Sequence, residues 1–244
     1  MKIKLILSLL VTLLNFFIVI HTNASVTIVG NRIVYKEKNR TMDVLLKNND
    51  KIPYIMEVWV DNGNEQPRQK DPAGAPFILL PPFFKIEPLT SRSVRLQIKN
   101  ETDLPCDRES LFWLNVLQIP PSNLNESSKN NSILFLIKNR LKLFYRPHAI
   151  GEPVDIFSNV NVRIDKEQGL NVENNRPWYL SLSNVSVSNA RTSIDCTPET
   201  IAPYSSKKIK CTSSLNSMTI NSHTHLSAFN DQGARASATF PIKK

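Results

Sequence analysis

From Ser25 onward, short runs of apolar residues spaced two apart recur along the chain, and segments with a helical period are nearly absent. The most apolar run is Ser132–Pro147, SILFLIKNRLKLFYRP. In it Ile133, Phe135 and Ile137 alternate with Leu134, Leu136 and Lys138, so both faces begin apolar. Past Asn139 and Arg140 polar positions return, and Lys142 sits among Leu141, Leu143, Phe144 and Tyr145. With no Gly and a Pro only at its end, the run predicts one long β-strand. A strand apolar on two faces belongs in a sheet centre; at an edge it is an aggregation hazard or a binding device.

The same reading predicts strands before it. They are Ser25–Lys36 with Gly30 as a bulge or switch, Thr41–Lys47, Tyr54–Val60, Ser93–Ile98 and Leu111–Ile119. Trp59 is expected to anchor the core of the third of these. Asp61–Ala75 reads as a loop, and Pro81-Pro82 excludes a central strand through Phe77–Phe84 and admits a cis bond. After Pro147 the texture changes. His148–Pro153 carries Gly and Pro and reads as a short hinge. Beyond it come Val160–Ile164, Gly169–Val172, Trp178–Val187, Thr192–Cys196, Lys207–Ser213, His225–Phe229 and Ala234–Ile242. The fold class is therefore all-β, two sandwiches joined by a hinge, one over 25–147 and one over 153–244.

Two lysines, Lys2 and Lys4, precede the apolar run Leu5–Ile20, and small residues follow it as far as Ala24. That layout is a secretory signal peptide over 1–24; the run falls short of the ~20 residues of a spanning helix. Export to an oxidising compartment, without stable membrane insertion, is expected. Losing the two lysines takes the formal charge from +9 to +7. The basic residues are scattered, which describes a solvated surface and not a nucleic-acid partner. Cys196 and Cys211 flank a polar, Pro-containing segment and can pair as neighbouring strands, worth ~3 kcal/mol in the chain-entropy account. Cys106 is left over and reads as a small buried or loop residue.

An enzyme finds no inventory here. There is no GxSxG elbow, HExxH pair or Gly-rich phosphate loop, and only six glycines. His223 and His225 would share a strand face, but no third ligand is near, so no metal is expected. No cofactor is implied.

Two segments are more specific. Leu104–Pro120, LPCDRESLFWLNVLQIP, and Lys142–Pro147, KLFYRP, resemble the two hallmark runs of the periplasmic pilus chaperones, the PapD-like family. The order of signal, sandwich, hinge and sandwich fits as well. The resemblance implies two immunoglobulin-like domains, a periplasmic location, and pilin subunits and an outer-membrane usher as partners. It implies that Arg32 and Lys142 anchor a subunit's C-terminal carboxylate, two fixed cations on one anion. It makes Ile133, Phe135 and Ile137 a donor strand that fills the groove of a subunit lacking its own last strand. Leu134 and Leu136 would then face this chain's own core. Lys142 lies an odd number of residues from the donor set, so a bulge or twist is expected if both touch one partner. Glu109, Arg146 and Asp231 match an interdomain salt-bridge network that sets the angle between the sandwiches.

The short Pro120–Ser132 connection and the single cysteine of the first domain resemble the short-loop subclass of the family. The family's usual Gly near Leu89-Thr90 is absent, which concerns the turn and not the function. The rival reading is a secreted adhesive β-sandwich protein that binds a ligand.

Overall fold

The structure is a computed structural model and describes residues 25–63, 75–99, 104–121, 135–165, 169–215, 218 and 222–242. The signal segment 1–24 and Ile133 lie outside the described residues, as does the connection ahead of it. The first sandwich contains β1 (Val26–Ile28), β2 (Arg32–Lys36), β3 (Thr41–Asn48), β4 (Tyr54–Asp61), β5 (Phe77–Leu80), β6 (Phe83–Ile86), β7 (Ser91–Ile98), β8 (Ser110–Ile119) and β9 (Ile137–Arg146). One sheet has the order β1-β3-β7-β5 and the other β2-β9-β8-β4-β6. Every pairing in it is antiparallel except β2 with β9.

Gly30 makes that exception possible. β1 pairs with β3 in one sheet, and β2, three residues on, pairs with β9 in the other. The chain changes sheets at Gly30, whose φ of 98° is open to Gly and strained for a side chain. A similar crossing at Leu80–Pro81, a cis bond, takes β5 to β6.

A 3₁₀ turn, His148–Ile150, fills the hinge. The second sandwich contains β10 (Val160–Asp165), β11 (Gly169–Asn174), β12 (Leu180–Ser188), β13 (Ser193–Cys196), β14 (Thr200–Ile201), β15 (Ser205–Ile209), β16 (His223–Phe229) and β17 (Arg235–Pro241). Its sheets run β10-β11-β15 and β13-β12-β16-β17, with β14 on β12. The two-residue β14 is too short to carry a period and was not predicted. The strand expected at Lys207–Ser213 lies at Ser205–Ile209, and the backbone of Cys211 pairs with that of Cys196 as an isolated β-bridge outside it.

Each sandwich has its own core. Tyr35, Leu46, Met56, Leu96, Leu114 and Leu143 fill the first, and Leu170, Leu180, Ile201, Ile209 and Leu226 the second. The period of two puts Met56, Val58 and Val60 inward on β4, and therefore Trp59 outward. This corrects the expectation that Trp59 anchors the core: an aromatic one residue out of phase with its buried neighbours belongs to the other face. The turn at Leu89 is made without glycine; Leu89 itself takes φ 57° and is exposed.

Candidate functional site

The strand singled out by its apolarity is divided in two by its neighbours. Its C-terminal half, Lys142–Arg146, lies between β2 and β8, in register from Arg32 opposite Lys142 to Lys36 opposite Arg146. From Ile137 to Leu141 only the β8 side is paired among the described residues, so within them the other edge presents free backbone groups. Phe135 and Leu136 precede the strand because β8 pairs no further than Ile137. Phe135 is 75% exposed, Leu136 49% and Ile137 45%. The free edge thus ends where Arg32 meets Lys142, and the exposed apolar run Phe135–Ile137 leads into its far end.

Those two cations come from different strands and share little with acidic groups. Arg32 donates from Nη1 to the Phe229 carbonyl at 3.3 Å, and its guanidinium lies 4.9 Å from the Phe229 ring centroid. Lys142 Nζ donates to Thr200 Oγ1 of the second sandwich. Neither makes an ion pair with a carboxylate among the described residues. Burial lowers the pKa of Lys142, and the nearby charges of Arg32 and Lys207 lower it further. Burial lowers that of Arg32 too, against the pull of Asp231 and Glu109. Two half-buried cations that repel each other make a site for an anion.

The faces of β9 are assigned by its neighbours. Leu141, Leu143 and Tyr145 face the first core. Lys142 and Phe144 face the second sandwich, Phe144 with its ring 5.5 Å from that of Tyr179. Phe135 and Ile137 share parity with the core set but lie beyond the core's end. Two expectations are corrected. Leu136 is 49% exposed and not a core residue, because no layer among the described residues covers that end of the strand, while Leu134 lies outside the described residues. Of the bulge or twist expected if both touch one partner, the bulge is excluded, since the register to β8 is continuous from Ile137 to Tyr145.

Glu109, Arg146 and Asp231 do come together. Arg146 Nε donates to Glu109 Oε1 at 2.7 Å, while Nη1 and Nη2 reach the two Asp231 oxygens at 2.6 and 2.8 Å. Glu109 Oε2 also accepts the backbone N–H of Tyr179 at 2.8 Å. Arg146 and Glu109 are both only 4% exposed. Burial works against the Arg146 charge, but the two carboxylates outweigh it and hold its pKa above the ordinary arginine range. Asp231 lies in the β16–β17 turn, whose Gly233 has φ 80°. A Cβ there would stand 2.4 Å from Asn31 Oδ1, so the turn presses against the residue preceding Arg32.

Sequence reasoning missed Thr200, Phe229 and the Asn31–Gly233 contact, all from the second sandwich and invisible to local spacing. It also missed the outward tryptophans. Arg140 lies 4.6 Å and Lys142 5.9 Å from the Trp113 ring centroid, and Lys138 lies 5.3 Å from that of Trp59. Their parity, opposite to that of Val58 and Leu114, was the available signal. Between β1 and the free edge of β9 lies an open groove of about 680 Å³, lined by Val26, Ile28, Ile137 and Leu141 with Asp50, Tyr54 and Gln118.

Elsewhere, Cys196 and Cys211 form a disulfide. Cys106 is free and exposed in a loop. His225 is bonded to Ser188 and Thr239 hydroxyls at 3.0 Å. Among the described residues no helix is long and apolar enough to cross a membrane.

Comparison with known proteins covers nearly the whole chain. Residues 25–151 match the family described as "Pili and flagellar-assembly chaperone, PapD N-terminal domain". Residues 155–240 match "Pili assembly chaperone PapD, C-terminal domain". The probable fimbrial chaperone YadV of Escherichia coli K12 is 33% identical over 217 residues, covering 86% of this chain and 87% of that protein. The probable fimbrial chaperone YehC of the same organism is 32% identical, over 95% and 91%. Among solved structures, the YadV chaperone superposes with a TM-score of 0.77 at 27% identity, over 90% of this chain and all of that one. The fold also matches a Salmonella enterica SafA pilin–SafB chaperone complex, TM-score 0.73 at 23% identity, over 91% and 98%. Both sandwiches, the two hallmark runs and these relatives agree: the chain belongs to the PapD-like pilus-assembly chaperones, a non-enzymatic family whose fimbrial chaperones are periplasmic.

Proposed function

We propose that this protein is an exported periplasmic chaperone that holds fimbrial subunits by donor-strand complementation through β9 and passes them to an outer-membrane usher. The observation that carries the reading is the register of β2 on β9. Arg32 stands opposite Lys142 where the free edge begins. A subunit whose terminal carboxylate binds these cations has one direction in which to run. The edge beyond Lys142 is occupied by β2, so its last strand lies along Leu141 to Ile137 and parallel to β9.

Such a strand gains backbone hydrogen bonds from the edge, while Ile133, Phe135 and Ile137 supply side chains to the subunit's open groove. Burying each is worth ~1.5–3 kcal/mol. Because the partner lies beside β9 and not above it, it meets both faces, and no bulge is needed for it to reach Lys142. Glu109, Arg146 and Asp231 fix the second sandwich against the first, and so bring Phe229 and Thr200 to Arg32 and Lys142. Relatives above 30% identity named as fimbrial chaperones support the same reading. The test is co-expression with a fimbrial subunit, followed by purification of the periplasmic complex. Wild type should yield a one-to-one complex, and Arg32→Ala or Lys142→Ala should lose it while keeping a native circular-dichroism spectrum. Undiminished recovery with both variants would overturn the anchor. A chain that purifies only free would instead favour the ligand-binding sandwich.

A further inference from the structure

The anchor and the donor residues leave one side of the free edge without a role. Lys138, Arg140 and Lys142 share the β9 face opposite to the core, and the register to β8 carries them along it without a shift. They are not equivalent. Arg140 is held by Asp61, Nη2 to Oδ1 at 2.8 Å, and that carboxylate also accepts Asn115 Nδ2 at 2.7 Å. Lys142 reaches Thr200. Lys138 is exposed, and no carboxylate pairs with it among the described residues. Glu57, level with it in the sheet register, is two strands away on β4, ~10 Å at ordinary strand spacing. What holds Lys138 is the ring of Trp59, 5.3 Å from its Nζ to the centroid. An aromatic face orients a lysine without neutralising it, so the ammonium stays available to an anion.

We propose that Lys138, seated on Trp59, is a specificity-determining residue that selects subunits with an acidic side chain just ahead of their C-terminus. This rests on the reading that a subunit strand runs along the free edge toward Arg32 and Lys142. Since β2 takes the edge from Lys142 onward, the terminal residue lies opposite Leu141 or Arg140. The residue opposite Lys138 is then two or three positions before it. In a parallel pair, residues at the same level point to the same face. That position therefore faces the cation side, while its neighbours turn toward the groove that Val26, Ile28 and Leu141 line together with Asp50, Tyr54 and Gln118. The favoured strand alternates apolar residues with at least one carboxylate at that level.

The test uses short synthetic peptides of alternating Val and Thr, with a free C-terminal carboxylate and one Glu or Lys moved through the last positions. Binding to the purified mature chain is read by fluorescence anisotropy. Wild type should prefer Glu to Lys by about threefold or more at the second or third residue before the last, and hardly at all elsewhere. Lys138→Glu, a change on an exposed side chain, should reverse that preference at the same position, and about 1 M salt should erase it. Trp59→Leu should weaken the preference without reversing it. A preference that Lys138→Glu leaves unchanged overturns the assignment. If an amidated peptide binds as tightly as the free acid, it is the carboxylate anchor that fails, and the register derived from it fails with it. The two failures are read from different peptides.

Discussion

The two halves of β9 share one backbone and differ in everything around it. Lys142–Arg146 has a strand on each edge, a core beneath Leu143 and Tyr145, and the second sandwich above Lys142 and Phe144. Ile137–Leu141 has one strand on one edge, and its leading residues face solvent. The outer half sets Ile137 and Leu141 around Lys138, Asn139 and Arg140, and the inner half sets Leu143, Phe144 and Tyr145 between Lys142 and Arg146, so both mix apolar side chains with cations and composition alone does not say which is covered. Supply of partners does. Where β2 begins, the strand is part of the fold; where β2 has not yet begun, the same kind of strand is an unsatisfied edge. Arg32 and Lys142 mark the boundary; in the complex proposed above, a terminal carboxylate bound there would measure where the outer half ends.

The largest break comes at the buried base. Arg146→Ala strips two carboxylates of their cation, and loss of one partner from a buried network costs about 3–5 kcal/mol. Urea denaturation should show that loss. A change under 1 kcal/mol would mean that the network is not what joins the sandwiches. Next, Leu143→Ala, at a fully buried position in the partnered half, should cost about 2–5 kcal/mol by the same measurement.

The boundary itself titrates. Burial and Arg32 lower the pKa of Lys142, in that order, so the free protein disfavours its ammonium form. A bound carboxylate favours that form and raises the pKa. The bound value then exceeds the free one, so affinity is full below the free-state pKa and falls as pH rises through the window between them. The fall is at most about tenfold per pH unit. Peptide affinity measured from neutral to alkaline pH should show it, with proton uptake on binding seen by calorimetry in buffers of different ionisation enthalpy. A flat profile in wild type, matching that of Lys142→Met, would remove Lys142 from the anion site.

Much of this boundary could be read from residues alone. The alternation located most of the strands, the two hallmark runs held Lys142, Glu109 and Arg146, and the family resemblance pointed to Arg32 and Asp231 outside those runs. What could not be read was which strand lay next to which. The end of β9 as a strand depends on how far β8 pairs, and its free edge depends on where β2 starts; both are facts of register between distant segments. Thr200 and Phe229 reach the site by folding of the second sandwich, 58 and 197 residues from their partners. Trp59 was misjudged for a different reason: size was weighed above parity, although Val58 and Val60 already claimed the inward face. At Leu89 a missing glycine left the turn in place, because the chain accepts a left-handed leucine at ~1–2 kcal/mol.

The smallest expected effect is the one that distinguishes the halves most sharply. Ile137→Ala removes as many heavy atoms as Leu143→Ala, from the same strand and the same parity. In the free chain Ile137 is 45% exposed, so the change should stay within about 0.5 kcal/mol in urea denaturation. In the proposed subunit complex the partner would bury the same side chain, and its truncation should weaken binding by about tenfold. Phe135→Ala, at a still more exposed position, should behave alike. A loss of free-chain stability comparable to that of Leu143→Ala would show that the outer half is packed by this chain itself, and the contrast between the halves would collapse. Unchanged stability with weakened binding is the signature of residues that complete another protein's core.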